Sequence, residues 1–89
     1  MHDQALMNDL MSKIEEIAMR EGATRVRTIH VSLGALSHMD ADHFREHFDE
    51  VAPGTLAQDA AIEATLETDT TADDAQGIRL TSMELEYPE

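Results

Sequence analysis

The sequence of 89 residues contains no cysteine and no tryptophan, and its only aromatic side chains are Phe44, Phe48 and Tyr87. Without cysteine the chain has no disulfides, no thiolate metal sites and no cysteine nucleophile. With so few aromatics, the core must consist mainly of Leu, Ile, Val, Ala and Met side chains. No apolar run approaches the roughly 18 residues that indicate a transmembrane helix.

Basic residues are also scarce, with 6 Lys and Arg against 19 Asp and Glu and a formal net charge of −13. This charge repels phosphate groups, so neither nucleic acid nor an anionic membrane is expected as a partner. The preferred partners are basic surfaces or cations. The sequence has no HExxH motif, no nucleophile turn and no glycine-rich phosphate loop, so we expect no enzymatic activity. The absence of a signal peptide favours a cytoplasmic location.

The pattern of apolar residues predicts five elements in the order α-β-α-β-β. Helical spacing indicates two helices, and alternation of apolar and polar residues indicates three strands. The helices are expected over 4–21 and from Asp40 or Asp42 to Pro53, and the strands over 25–33, 60–67 and 78–87. We therefore predict an α+β fold with two helices packed on one face of a three-stranded sheet, as one domain spanning 1–89.

Side-chain periodicity also predicts which faces are buried. The first helix should bury a stripe of Leu6, Leu10, Ile14 and Ile17, with Met7, Met11 and Ala18 beside it, and should end before Gly22. The first strand should bury the row Arg27, Ile29, Val31 and Leu33. The last strand changes phase between Leu80 and Met83, and a β-bulge near Thr81-Ser82 would restore one buried face. We expect the sheet to be antiparallel.

The sequence begins with Met1-His2-Asp3, which is a possible metal site. The free amine of Met1, with a pKa of roughly 8, the backbone amide of His2 and its imidazole can form fused chelate rings around one metal ion. Such nitrogen donors in a plane suit Cu(II) or Ni(II), and carboxylates of Asp3 or Asp40 could complete the coordination. The alternative is that His2 is simply an exposed residue at a chain end.

The other histidines offer weaker candidates. His38 lies two residues before Asp40, in the loop between the first strand and the second helix. It could add a ligand if the amino terminus lies near this loop. His43 and His47 are four positions apart on the second helix and could bridge a metal ion, although a solvated helix edge is the simpler interpretation. His30 is expected on the exposed face of the first strand.

Three stretches of the sequence resemble one protein family. The opening MHDQAL is similar to the MHE-x-x-L start of the HypA/HybF hydrogenase nickel-incorporation proteins. The long segment HVSLGALSHMDADHFREHFDEVAPGTLAQDAAIE resembles the strand–G-x-L-S–helix part of that family, and GIRLTSMELE resembles its last strand. Nearly the whole chain is covered, and the ordered combination of MH[DE], GALS and GTLA is more specific than any single piece.

This resemblance implies a non-catalytic metallochaperone that carries Ni(II) for the maturation of [NiFe]-hydrogenase and, in some organisms, urease. The implied partners are a maturation GTPase and the hydrogenase large-subunit precursor. Met1, His2 and Asp3 match the nickel residues of the family, with Asp3 in place of the more common glutamate, and Asp40 matches a further acidic position.

The sequence departs from the family between the second and third strands. Family members carry a zinc module with two Cys-x-x-Cys pairs there, whereas this chain has only the acidic loop 68–77, so no zinc is expected. Two other functions stay open beside nickel delivery. The chain could be a zinc-free paralogue that occupies the GTPase or the hydrogenase precursor without delivering metal, or a sensing domain that binds metal through His43 and His47.

Overall fold

The computed structural model describes residues 3–35, 40–71 and 77–88. The five elements are α1 Asp3–Arg20, β1 Arg25–Leu33, α2 Ala41–Val51, β2 Ala61–Leu66 and β3 Ile78–Glu86. Their order and the three-stranded sheet confirm the predicted α+β fold. Within the described ranges, no helix is both long enough and apolar enough to cross a membrane.

The sheet has the strand order β2-β1-β3, with β1 in the centre. β1 pairs in parallel with β2 and antiparallel with β3, so the expectation of an antiparallel sheet is wrong for one pair. The reason is that α2 lies between β1 and β2 in the chain. It carries the chain back to the end at which β1 began, and β2 must then run in the same direction as β1.

The predicted bulge in β3 is confirmed by the strand register. His30 pairs with Ser82 and Val31 pairs with Leu80, so Thr81 is an extra residue on β3. The Thr81 hydroxyl donates a hydrogen bond to the His30 carbonyl oxygen at 2.9 Å. Through this bulge, all four apolar residues of β3 are partly buried against the core, namely Ile78, Leu80, Met83 and Leu85.

A second irregularity, between Val26 and Thr28, corrects the prediction for the start of β1. Because the alternation breaks there, Val26 is fully buried, whereas Arg27 is exposed. Arg27 therefore does not share the buried row, and its guanidinium lies 3.9 Å from the Glu86 carboxylate. A single sequence of alternating residues does not reveal such a shift, because it depends on pairing with β3.

The first helix ends as predicted, at a glycine in the left-handed region. Gly22 has φ = 75°, a conformation that strains residues with a Cβ atom. The Ala23 N–H donates to the Ala18 carbonyl at 2.9 Å, and the Gly22 N–H donates to the Met19 carbonyl at 3.1 Å. These two bonds form a Schellman motif, which satisfies the last carbonyl groups of α1 and turns the chain into β1.

The buried stripe of α1 is rotated from the centre of the predicted one toward the residues predicted beside it, and the side chain of Leu6 lies outside those that the structure describes. The buried residues of α1 are Met7, Met11, Ile14 and Ala18. Leu10 and Ile17 are only partly buried and line a groove between α1 and β3.

The core is centred on the two phenylalanines of α2. Phe44 and Phe48 are fully buried, and their ring centroids lie 6.1 Å apart. Two large hydrophobic side chains lie outside this core, since Leu66 and Tyr87 are 54% and 52% exposed. Leu66 is the last residue of an edge strand, and Tyr87 lies beyond the end of β3, so neither is covered by a helix.

Candidate metal centre

The fold brings the beginnings of both helices to the same end of the sheet. A short turn joins α1 to β1, and α1 then runs antiparallel to β1. Two grooves agree with this direction. Leu10 lines a groove with Ile78, which pairs with the last residue of β1. Ile17 lines a groove with Leu85, which pairs near the start of β1. Since α2 follows the end of β1, Asp3 at the start of α1 and Asp40 at the start of α2 share this end.

Asp40 has two structural properties that bear on metal binding. It is the N-cap of α2, and its Oδ1 atom accepts a hydrogen bond from the His43 backbone N–H at 2.8 Å. Its side chain is exposed, and Oδ2 has no hydrogen-bond partner among the described residues. The cap therefore fixes the carboxylate at the helix start while one oxygen stays available to a cation.

The other predicted ligands are only partly located. Asp3 is the first residue of α1, while Met1, His2 and His38 lie outside the described residues. In the ranges that are described, no group of three or more His, Asp or Glu side chains is arranged to hold a metal ion. The terminal site thus stays a prediction, and what the structure adds is the shared position of Asp3 and Asp40.

Two substitutions of Asp40 separate its capping role from metal binding. Asp40→Asn keeps an equally good cap, so the unfolding free energy should hardly change while nickel affinity falls. Asp40→Ala removes both functions and should also lower the unfolding free energy by about 1 kcal/mol. Urea unfolding and a nickel titration of both variants check this. Unchanged nickel affinity in Asp40→Asn would show that the carboxylate is not a ligand.

The connection between β2 and β3 also lies at this end of the sheet. The Glu67 N–H donates to the Leu33 carbonyl at 2.9 Å, and the Gly34 N–H donates to the Gly77 carbonyl at 2.8 Å. Both ends of the connection are therefore tied to the last residues of β1. The sequence has no cysteine, so the Cys-x-x-Cys pairs of a zinc module are absent from this position.

One turn of this connection is described. The Asp69 carboxylate accepts hydrogen bonds from the Thr71 hydroxyl at 2.6 Å and from the Thr71 N–H at 2.9 Å. The hydroxyl bond, followed by the backbone bond, lowers the pKa of Asp69, since both stabilise the charged carboxylate. Asp69 thus remains ionised and adds negative charge to this connection.

The face of the sheet opposite the helices carries a polar cluster that the alternation of residues does not predict. His30 is 29% exposed rather than fully exposed, with Nε2 3.2 Å from a Glu84 oxygen and Nδ1 3.7 Å from a Glu63 oxygen. Nearby, the Ser32 hydroxyl donates to Glu67 at 2.6 Å. These contacts depend on the register of β2 and β3 against β1, which alternation alone does not specify.

Comparisons with known proteins agree with this architecture. The family model described as "Hydrogenase/urease nickel incorporation, metallochaperone, hypA" matches residues 1–83. A hydrogenase maturation factor HypA from Rhizobium leguminosarum bv. viciae is 35% identical over 63 residues, which are 71% of this chain and 56% of that protein. One from Rhodopseudomonas palustris (strain BisB5) is 40% identical over the same shares. The chain spans about half the length of these relatives.

Solved structures show the same fold. The solution structure of the Ni metallochaperone HypA from Helicobacter pylori superimposes with a TM-score of 0.81 at 20% identity, over 99% of this chain and 100% of that chain. A second solution structure of a HypA protein gives a TM-score of 0.72 at 18% identity, over 94% and 95% of the two chains. Because the family model covers almost the entire sequence, the chain belongs to the HypA family of hydrogenase and urease nickel-incorporation proteins.

Proposed function

We propose that this chain binds Ni(II) at its amino terminus and acts as a non-catalytic accessory factor in the maturation of [NiFe]-hydrogenase or urease. The observation that supports this most directly is the shared position of two acidic residues. Asp40 presents a fixed carboxylate at the end of the sheet where α1 begins with Asp3. The nitrogen donors of Met1 and His2 directly precede Asp3 in the sequence.

The electrostatics of this end explain why carboxylates are needed there. The start of each helix carries a partial positive charge, which opposes a bound cation. Asp40 offsets this charge at the start of α2, Asp42 offsets it further in the first turn, and Asp3 occupies the first position of α1. A net charge of −13 also attracts divalent cations over longer distances.

An exposed terminal site suits a protein that must release its metal. Nickel displaces the proton of the Met1 amine on binding, so uptake of a proton at the amine favours release. The proposed recipients are a maturation GTPase and the hydrogenase large-subunit precursor in the cytoplasm. Because these 89 residues contain no cysteine, their own contacts with the partners would not require zinc.

Calorimetric titration with Ni(II) tests the terminal site. We expect His2→Ala to weaken the tightest binding event by at least about tenfold, because it removes one of the chelating donors. The protein must begin at Met1, as verified by its intact mass. His30→Ala is the matched control, since His30 lies on the opposite face of the sheet and should leave nickel binding unchanged. Equal affinities of the wild type and His2→Ala would contradict the proposal.

The alternative function, an interaction module that delivers no metal, has a different signature. In that case nickel binding would not depend on His2, while a maturation GTPase would still co-purify with the full chain. Nickel binding that depends on His2, together with metal transfer to the GTPase, would exclude this alternative.

A further inference from the structure

We propose that His43 and His47 form a second metal site, on α2, which chelates a divalent late first-row transition metal ion through both Nε2 atoms. Both residues lie on the first turns of the helix, and their side chains are partly buried. The proposal rests on these two residues alone and holds whether or not the terminal site exists.

The geometry of the two rings supports chelation. Their Nε2 atoms are 2.8 Å apart, and the ring centroids are 4.6 Å apart with a tilt of 36°. Two nitrogen lone pairs at this distance repel each other unless a proton or a cation lies between them. With metal–nitrogen bonds of roughly 2.1 Å, two donors at a right angle are about 3.0 Å apart, and donors at a tetrahedral angle about 3.4 Å apart. The observed distance therefore fits neighbouring positions of a square-planar or octahedral ion.

The helix keeps the two donors in place before any metal arrives. Phe44 and Phe48, each next to one of the histidines, are fully buried and fix the rotation of α2 on the sheet. Asp40 caps the helix through the His43 N–H, so the first turn is held as well. Little conformational entropy is then lost on binding, which favours a chelate over two independent imidazoles.

The donor set indicates which ions are suitable. Imidazole nitrogen suits Cu, Ni and Zn, and the order of affinities of such sites places Cu(II) above Ni(II). The near-right angle between the donors favours Ni(II) and Cu(II) over tetrahedral Zn(II). Water would occupy the remaining positions, so this site should be weaker than one with three nitrogen donors.

The test uses the full chain in the His2→Ala background, which removes the imidazole of the terminal site. We expect calorimetry to show one remaining Ni(II) event, weakened about 100-fold by His43→Ala or by His47→Ala. Nickel should also raise the thermal midpoint of unfolding in the His2→Ala protein, because the pair exists only in the folded helix.

A composition-matched variant provides the control. Arg45→His/His47→Arg keeps every residue type and the net charge, but it places the two histidines two positions apart, where side chains do not face each other. The remaining nickel event should disappear in this variant. Undiminished binding there, or no nickel binding by the His2→Ala protein, would overturn the proposal and leave the pair as an N–H···N hydrogen bond.

The outcomes also separate the two metal sites. If only the terminal site exists, His2→Ala weakens nickel binding and exchange of residues 45 and 47 has no effect. If only the helix site exists, His2→Ala binds nickel as the wild type does and the exchange abolishes binding.

Discussion

Extension of the chain by Gly-Ser-Gly-Ser before Met1 is expected to lower the affinity of the terminal site for Ni(II) by at least about 100-fold. Every side chain is retained in this variant, so only the position of the free amine changes. The fused chelate rings need the Met1 amine directly before His2, and a peptide nitrogen in its place offers no comparable donor. The His2 imidazole then has only the carboxylates of Asp3 and Asp40 beside it, and such oxygen ligands bind nickel less strongly than nitrogen donors.

The length of the extension matters in this experiment. A single added residue would place the histidine third in the chain, where an amine, two amides and the imidazole can again form fused rings. Four residues avoid this arrangement. The same four residues after Glu89 serve as the control and should leave nickel binding unchanged. Thermal unfolding of both proteins should match the wild type, since chain ends tolerate additions. Tight binding by the amino-terminally extended chain would rule out the terminal amine as a donor.

Phe44→Ala is expected to reduce the free energy of unfolding by about 3–5 kcal/mol. Phe44 is fully buried and packs against Phe48, the other phenylalanine of the chain. A domain of this size has a total stability of only about 5–15 kcal/mol, so the loss is a large fraction. At about 4–8 °C per kcal/mol, the thermal midpoint should fall by more than about 12 °C.

Tyr87→Ala is the matched control for this prediction. It also removes an aromatic ring, but Tyr87 is 52% exposed and lies beyond β3, so the unfolding free energy should change by less than about 1 kcal/mol. Circular dichroism melts of the three proteins provide the measurement. Similar midpoints for Phe44→Ala and Tyr87→Ala would mean that the stability of the protein does not depend on the buried ring of Phe44.

The Phe44→Ala substitution is also expected to affect metal binding. Phe44 and Phe48 hold the helix that Asp40 caps and that carries the histidine pair. Loosening of α2 should therefore reduce metal binding at the helix even at temperatures where the sheet remains folded. The core and the two proposed metal sites are coupled through this single helix.

Hydrogen bonds at the two ends of the β2–β3 connection explain how the fold tolerates the absence of the zinc module. The two chain segments that flank the β2–β3 connection, at Glu67 and Gly77, are both hydrogen-bonded to the end of β1. The central strand thus fixes the two ends of the connection independently of its length. A long insertion and a short acidic loop are both compatible with the same sheet, since loop closure costs little additional free energy as length increases.

Local features were predictable from the sequence wherever the cause is local. β1 spans the predicted residues, Gly22 ends α1, Asp40 caps α2 and the bulge in β3 includes Thr81. Each of these depends only on residues close together in the sequence. Alternation marks β1, a glycine follows α1, a carboxylate precedes the first turn of α2, and the apolar pattern changes phase in β3. The family was also evident from motifs in the sequence.

Features that depend on pairing between distant segments were decided only by the tertiary structure. The parallel direction of β2, the outward position of Arg27 and the rotated stripe of α1 depend on which surfaces meet, and one chain segment alone does not contain that information. The approach of the two histidines to 2.8 Å likewise follows from side-chain conformations on a docked helix. The sequence by itself determined the helices and strands and the types of metal-donor side chain. Packing determined which of these donors lie together, because burial of one common core selects how the helices and strands are arranged.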